Sequence, residues 1–292
     1  MTMNKNLFLT LLAVIMTAVC SCSSNEKSTN ILASSNAAAT DKVGDSTLCQ
    51  FSNIKLSRMY SYCNDEGDSL YFDNRFTALW PQVINGKPCT ELQQALLRAM
   101  TDSAELNQLE PTVNYLLNPC SYTDCDSSRL VPVKAVKSDE TKLSTSEIDV
   151  RMASMTDRLL VYNLATYAYV AGGAHGIYAH NYVTYDLKTE KAVHLGDIVA
   201  DTTLLRNVTL KSIQITYNYG TDELFLPDNG MLPLPGDFYI HEDVLHVVYQ
   251  VYEIASYAQG MIDAPIYPYM LKPEEMKQLF TPYGLELINY TE

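Results

Sequence analysis

Basic residues are scarce in this sequence. Twenty Lys and Arg stand against 34 Asp and Glu over 292 residues, a formal net charge of −14. A chain that neutralises nucleic-acid phosphates needs the opposite sign, so general nucleic-acid binding is excluded as a class. Tryptophan is nearly absent, one residue against 21 tyrosines. Beyond the N-terminus no apolar run approaches the roughly 20 residues that span a bilayer. There is no Gly-x-Ser-x-Gly elbow, no Cys-x-x-Cys pair, no internal repeat and no heptad pattern. Those absences remove the usual sequence signatures of a serine hydrolase, a zinc knuckle, a solenoid and a coiled coil.

What is present folds. Hydrophobic residues make up 47% and charged residues 18%, which excludes a chain disordered throughout. Tyrosine suits half-buried strands, with an apolar ring and a wet hydroxyl. The length fits one large domain or two small ones.

Lys5 precedes an apolar run from Leu7 to Val19, the pattern of an export signal. The run ends in Val19-Cys20-Ser21-Cys22, which resembles the bacterial lipobox. Cys22 is the expected lipidation site, with Cys20 the competitor; ordinary secretion with two incidental cysteines is the alternative. Residues 1–21 then form the signal peptide. Residues 22–46, rich in Ser, Asn, Ala and Thr, form the lipidated cysteine and a flexible tether. The expected address is the bacterial cell envelope, with the chain held to the inner or outer membrane through its lipid. That compartment permits disulfides. Of Cys49, Cys63, Cys89, Cys120 and Cys125, the last two sit in a turn-like stretch and are the expected pair; an odd count leaves at least one thiol free.

Leu48–Tyr62 and Leu70–Leu79 read as a hairpin around Asn64-Asp65-Glu66-Gly67-Asp68, closed by Trp80-Pro81. A helix follows Thr90, with Leu92, Ala95, Leu96 and Ala99 at helical spacing. These make a small ββα unit over residues 47–143, with an irregular stretch at Leu116–Asp126. From 144 to 292 the pattern changes. Ile148–Met155, Leu159–Val170 and Tyr178–Leu187 read as a meander, and Asp201–Gln214 as a helix. Phe238–Ile240, Leu245–Tyr252 and Ile262–Tyr267 read as strands, and Lys272–Phe280 as a short helix. The fold class is α+β, an antiparallel sheet packed with helices and preceded by the ββα unit.

Two segments carry a family resemblance. One is Tyr169-Val170-Ala171-Gly172-Gly173-Ala174-His175-Gly176, followed by Asn181–Leu187 and Leu195-Gly196-Asp197-Ile198. The other is Phe238-Tyr239-Ile240, then Tyr249, Tyr252-Glu253-Ile254-Ala255-Ser256-Tyr257-Ala258-Gln259-Gly260 and Ile266-Tyr267-Pro268-Tyr269. Together they resemble the RsiV-like domain of unknown function, found in the extracytoplasmic part of RsiV anti-sigma factors and beside the catalytic domain of PdaC-type peptidoglycan deacetylases. The resemblance covers roughly Asp149–Phe280 and implies an α+β fold without an established activity. Neither a sigma-binding segment nor a deacetylase domain is recognisable alongside it.

The ligand-binding candidates are His175, Gly173, Gly176, Glu253, Tyr252 and Tyr257. Small residues around His175 let a ligand approach closely. The competing reading makes this string a tight turn, with the imidazole hydrogen-bonding across the sheet. Histidines five apart on a regular strand point to opposite faces, which argues against a metal site from His175 and His180 or from His241 and His246. No metal and no cofactor are expected. The resulting expectation is a non-catalytic binding or sensing module for peptidoglycan, the cell-wall glycan, or for a basic wall-directed protein of the lysozyme type. The alternative is an envelope hydrolase or glycan-modifying enzyme using His175 and Glu253.

Overall fold

The structure is a computed structural model that describes residues 49–291 except 66, 102, 122, 124 and 136–141. The signal peptide, Cys22 and the tether lie outside the described residues. The described residues divide into two compact units, one of those up to Arg151 with Ala165–Tyr178, the other of Met152–Leu164 with those from Ala179 onward. Helices and a predominantly antiparallel set of strands make this an α+β fold, as the sequence pattern predicts.

In the first unit, β1 (Gln50–Cys63) and β2 (Ser69–Ile84) form the hairpin. Gly67, at φ +83°, donates its N–H to the Asn64 carbonyl at 3.1 Å, and the Asn64 side chain accepts the Asp68 N–H at 2.7 Å. Trp80-Pro81 does not close β2, which runs three residues further. Pro81 stands opposite Phe51 beside a register shift, where its missing N–H breaks no ladder bond. After β3 (Lys87–Pro88), α1 (Thr90–Thr101) lies against β2 and buries Leu92, Leu96 and Leu97. The sequence reading lacks α2 (Leu109–Leu116), an eight-residue helix with Pro111 in its first turn. Proline is tolerated there because first-turn N–H groups have no helical acceptor. Cys120 and Cys125 form the expected disulfide, while Cys49, Cys63 and Cys89 are free thiols. β4 (Leu130–Val133) covers the outer side of β1 over Met59–Tyr62. β5 (Leu143–Met155) pairs parallel with β2, so the sheet is not antiparallel throughout. The long connection after β2 supplies the crossover that a parallel pair requires.

β5, β6 (Leu159–Tyr169) and β7 (Ile177–Asp186) each carry residues of both units. In the second unit, Leu159, Leu160, Val161 and Tyr162 are all buried, so this half of β6 is covered on both faces. β8 (Lys191–Ala192) pairs with Tyr185 and Asp186 of β7. After α3 (Leu195–Ile198), α4 (Thr202–Tyr217) is capped by Asp201, whose carboxylate accepts the Thr203 and Leu204 N–H groups at 2.9 Å. Its buried Leu205, Val208, Thr209, Ser212 and Ile213 fall on one face, and the helix lies against β11. β9 (Asp237–His241), β10 (Val244–Tyr249) and β11 (Ile262–Ile266) form an antiparallel sheet in the order β11-β10-β9. β10 stops at Tyr249, short of the expected Tyr252, because the chain turns there and places Tyr252 at φ +66°. Two short helices, α5 (Pro273–Leu279) and α6 (Pro282–Leu287), complete a core that includes Ile198, Leu205, Val247, Tyr249, Ile254 and Phe280.

Asp186, at the end of β7, is fully buried and joins several of these elements. It accepts two hydrogen bonds from Arg158, at 2.6 and 3.0 Å, and others from Thr189, the Lys188 N–H and Tyr283 of α6. Burial alone would raise its pKa, but these donors outweigh it and hold the carboxyl below its ordinary value. Asp186→Ala is expected to lower the unfolding free energy by about 3–5 kcal/mol in urea, since it removes the buried partner of Arg158, leaving it only Glu286 on the solvent side, and strips the acceptor from Tyr283 and Thr189. With the folded pKa depressed, the contribution is complete above the unfolded value of about 3.9 and is lost as pH falls through the folded one. The stability gap between wild type and Asp186→Ala should therefore narrow below about pH 4.

Candidate functional site

The glycine-rich string lies in the first unit. Gly172 has φ +80°, and the Gly173 N–H closes a turn on the Val170 carbonyl at 2.9 Å. Gly176 is buried, and a Cβ there would lie 2.4 Å from the Tyr167 ring. The glycines thus answer to backbone geometry and ring packing. His175 is exposed, and its Nδ1 sits 2.8 Å from the Gly176 carbonyl oxygen.

Glu253, Tyr252 and Tyr257 belong to the second unit. Glu253 accepts the Gln250 N–H at 2.8 Å and is also bonded by the Gly236 N–H; burial raises its carboxyl above the ordinary range. The carboxylate therefore holds a turn. The rest of its motif does the same. Ile254 is buried and its carbonyl accepts the Phe225 N–H at 2.7 Å. The Gln259 side chain accepts the Ser256 N–H at 2.8 Å, and Gly260 takes φ +77°. The rings of Tyr252 and Tyr257 are tilted with centroids 5.5 Å apart. The six candidates are thus divided between the two units.

A different constellation stands out in the second unit. The strands of the three-stranded sheet alternate, with Ile262, Ala264, Leu245, Val247 and Ile240 buried in the core. Tyr239, His246 and Asp263 occupy the alternate positions and share the other face. Asp263 accepts the Tyr239 hydroxyl at 2.5 Å and lies 2.9 Å from His246 Nδ1. The His246 ring stacks on Tyr239 at 4.4 Å, and Tyr239 stacks on Tyr182 of β7 at 4.3 Å. Burial first, then the bond to Asp263, raises the Tyr239 phenol far above its ordinary value; burial also raises Tyr182.

Backbone bonds frame this cluster. The Tyr182 N–H donates to Asp237 at 2.8 Å, and Gln250 both accepts the His180 N–H at 3.0 Å and donates to its carbonyl at 2.7 Å. Asn163 of β6 lies 3.1 Å from His180 Nδ1. The arrangement can orient an imidazole, hold a phenol protonated and present stacked rings. Among the described residues no group of three or more His, Cys, Asp or Glu is gathered for a metal ion. The legible signal for the cluster is a single polar residue between apolar neighbours, His246 in β10 and Asp263 in β11. Asp263, between Ile262 and Ala264, is the member that sequence reasoning passed over.

A family model described as a protein of unknown function, DUF3298, matches residues 194–267. The matched segment contains Tyr239, His246 and Asp263. A crystal structure of a DUF3298 family member from Bacteroides fragilis matches with a TM-score of 0.56 and 17% identity, covering 82% of this chain and 96% of that one. A DUF3298 family protein from Pseudomonas aeruginosa matches with a TM-score of 0.46 and 13% identity, covering 79% of this chain and 94% of that one. The Bacteroides likeness establishes a shared fold. No curated protein matches the chain.

Asp263→Ala should cost about 2–3 kcal/mol in denaturant unfolding, because it strips the acceptor from both Tyr239 and His246. Tyr239→Phe, which leaves the Asp263–His246 bond in place, should cost about 1 kcal/mol.

Proposed function

We propose that this chain is a lipid-anchored protein of the bacterial envelope whose folded part binds a partner and performs no catalysis. The partner is a basic, wall-directed protein of the lysozyme type, with cell-wall glycan as the competing ligand. The observation that carries this reading is a group of exposed apolar side chains on two adjoining segments of the second unit. Phe225 is 56% exposed, Tyr252 44%, Met231 42% and Leu234 40%. The Phe225 N–H bonds the Ile254 carbonyl, and the Tyr249 hydroxyl donates to the Pro233 carbonyl at 2.9 Å, so the loop around 224–236 is held beside the turn at 250–260. Scattered exposed hydrophobics are ordinary, whereas a group fixed in place marks an interaction surface.

Asp222 and Glu223, just before this loop, and Asp228 within it are exposed. With the net charge of −14 they favour a cationic partner. Met and Leu suit a protein surface better than a sugar, whose apolar face stacks on aromatic rings and whose hydroxyls need hydrogen-bonding groups. The turn-holding role of Glu253 supports a non-catalytic reading over a hydrolase built on His175 and Glu253. The N-terminal pattern around Cys22 and the RsiV-like resemblance support the envelope address.

Lysozyme and soluble peptidoglycan fragments, each titrated against the chain, test the reading. Lysozyme should bind, more weakly as salt rises. The pair Phe225→Ala and Tyr252→Asn should weaken it at least about tenfold with an unchanged circular dichroism spectrum. Absence of binding by both ligands at about 100 μM would exclude it. Cys22→Ala should release the protein from membranes, and Cys20→Ala should leave it anchored; labelled palmitate on the Cys22→Ala protein would assign the lipid to the other cysteine.

A further inference from the structure

In an antiparallel ladder, residue pairs alternate between those that exchange both N–H···O bonds and those that exchange none. Proline lacks the N–H and suits a pair of the second kind. Pro132 of β4 stands opposite Tyr60 of β1, so Tyr60 turns its N–H and C=O towards β2, and its odd-numbered neighbours turn theirs towards β4. Pro81 of β2 stands opposite Phe51, so Phe51 turns its polar groups away from β2. The register is unbroken from Phe51 to Cys63, and the two prolines agree: odd-numbered residues of β1 face outward.

β4 covers β1 only over Met59–Tyr62. Phe51, Asn53, Lys55 and Ser57 therefore present four N–H and four C=O groups along one edge, without a backbone partner among the described residues. Other outward ladder groups in this chain are closed by side chains. The Tyr217 hydroxyl bridges the N–H and C=O of Asp263 at 2.9 Å each, and Ser212 donates to the Pro265 carbonyl at 2.6 Å. Gln250 closes His180 in the same way.

We propose that this edge of β1 pairs with the same edge of a second copy of the chain, antiparallel and two-fold symmetric about Ile54. Phe51 then faces Ser57 of the second copy and Asn53 faces Lys55, giving four bonded pairs and eight N–H···O bonds. Ile54, half-buried in one copy, meets Ile54 of the other. Gln50 of the second copy reaches Arg58, one position short of Met59, where Val133 of β4 already stands. The register is set by charge. Sliding by two residues in one direction places Lys55 opposite Lys55, and sliding in the other loses a bonded pair.

Sedimentation equilibrium on the purified full chain tests this. At about 100 μM the mass should approach twice that of a single chain and fall towards that of a single chain on dilution. Asn53→Lys opposes Lys55 twice across the axis and should raise the dissociation constant about tenfold, with unchanged circular dichroism and Tm. Asn53→Glu, facing Lys55, should lower it. A chain that is monomeric at about 100 μM overturns the proposal, as does a dimer indifferent to both substitutions. A monomer that instead takes up a synthetic peptide of residues 50–58 overturns the second copy as occupant.

Discussion

The second unit depends on one buried carboxylate. Asp186 ends β7 inside the protein, where a bare charge would cost several kcal/mol. Two bonds from the Arg158 guanidinium fix the turn between β5 and β6, and the Arg158 carbonyl in turn accepts the Leu187 N–H at 2.8 Å. Tyr283 brings α6 to the same carboxylate, and Glu286 of α6 accepts from Arg158 on the solvent side. The two oxygens accept five hydrogen bonds, two from Arg158, two from the neighbouring Lys188 N–H and Thr189 hydroxyl, and one from Tyr283. The carboxylate thereby selects one arrangement of elements that are distant in sequence.

The same economy of polar groups closes the sheet edges. Pro265 stands opposite His246, so it and Asp263 turn their backbone groups away from β10 and towards α4. Tyr217 and Ser212 of α4 meet them, and the helix serves β11 as a neighbouring strand would. Gln250 and Asp237 do this for His180 and Tyr182 of β7. Asp263 then has its backbone committed to α4 and its side chain to Tyr239 and His246. The stacked Tyr182, Tyr239 and His246 are positioned by groups that also finish the ladders, so the cluster is rigid for the same reason that the sheet ends where it does.

Much of the fold was legible. Period-two alternation found β1, β2 and the three strands of the second sheet, and the Leu205, Val208, Ile213 spacing found α4. The failures have local causes. Pro81 read as a stop, yet a proline on the non-bonded side of a ladder stops nothing. Pro111 and β-branched neighbours hid α2, which is too short for periodicity to outweigh them. Glu253 read as a partner for His175, since spacing along the chain carries no information about which carboxylates are consumed by backbone N–H groups. The Asp263 cluster was hidden because its three members come from three strands, and only strand register brings them together.

The motif residues show why the family likeness transmits a fold more readily than a ligand. Gly176 packs against the Tyr167 ring, Gly172 is required by its backbone angle, Glu253 answers the Gln250 and Gly236 N–H groups, and Gln259 answers Ser256. Each requirement is met wherever the same turns are built, whatever the domain binds. At 17% identity to the Bacteroides fragilis structure the fold is still shared. Phe225, Met231 and Leu234 face no such demand. They are exposed, lie on a loop interrupted by Pro227, Pro233 and Pro235, and are costly to leave in water unless something covers them. On the proposed reading, specificity belongs to these side chains, which the backbone leaves free, and not to the turn-building motif residues.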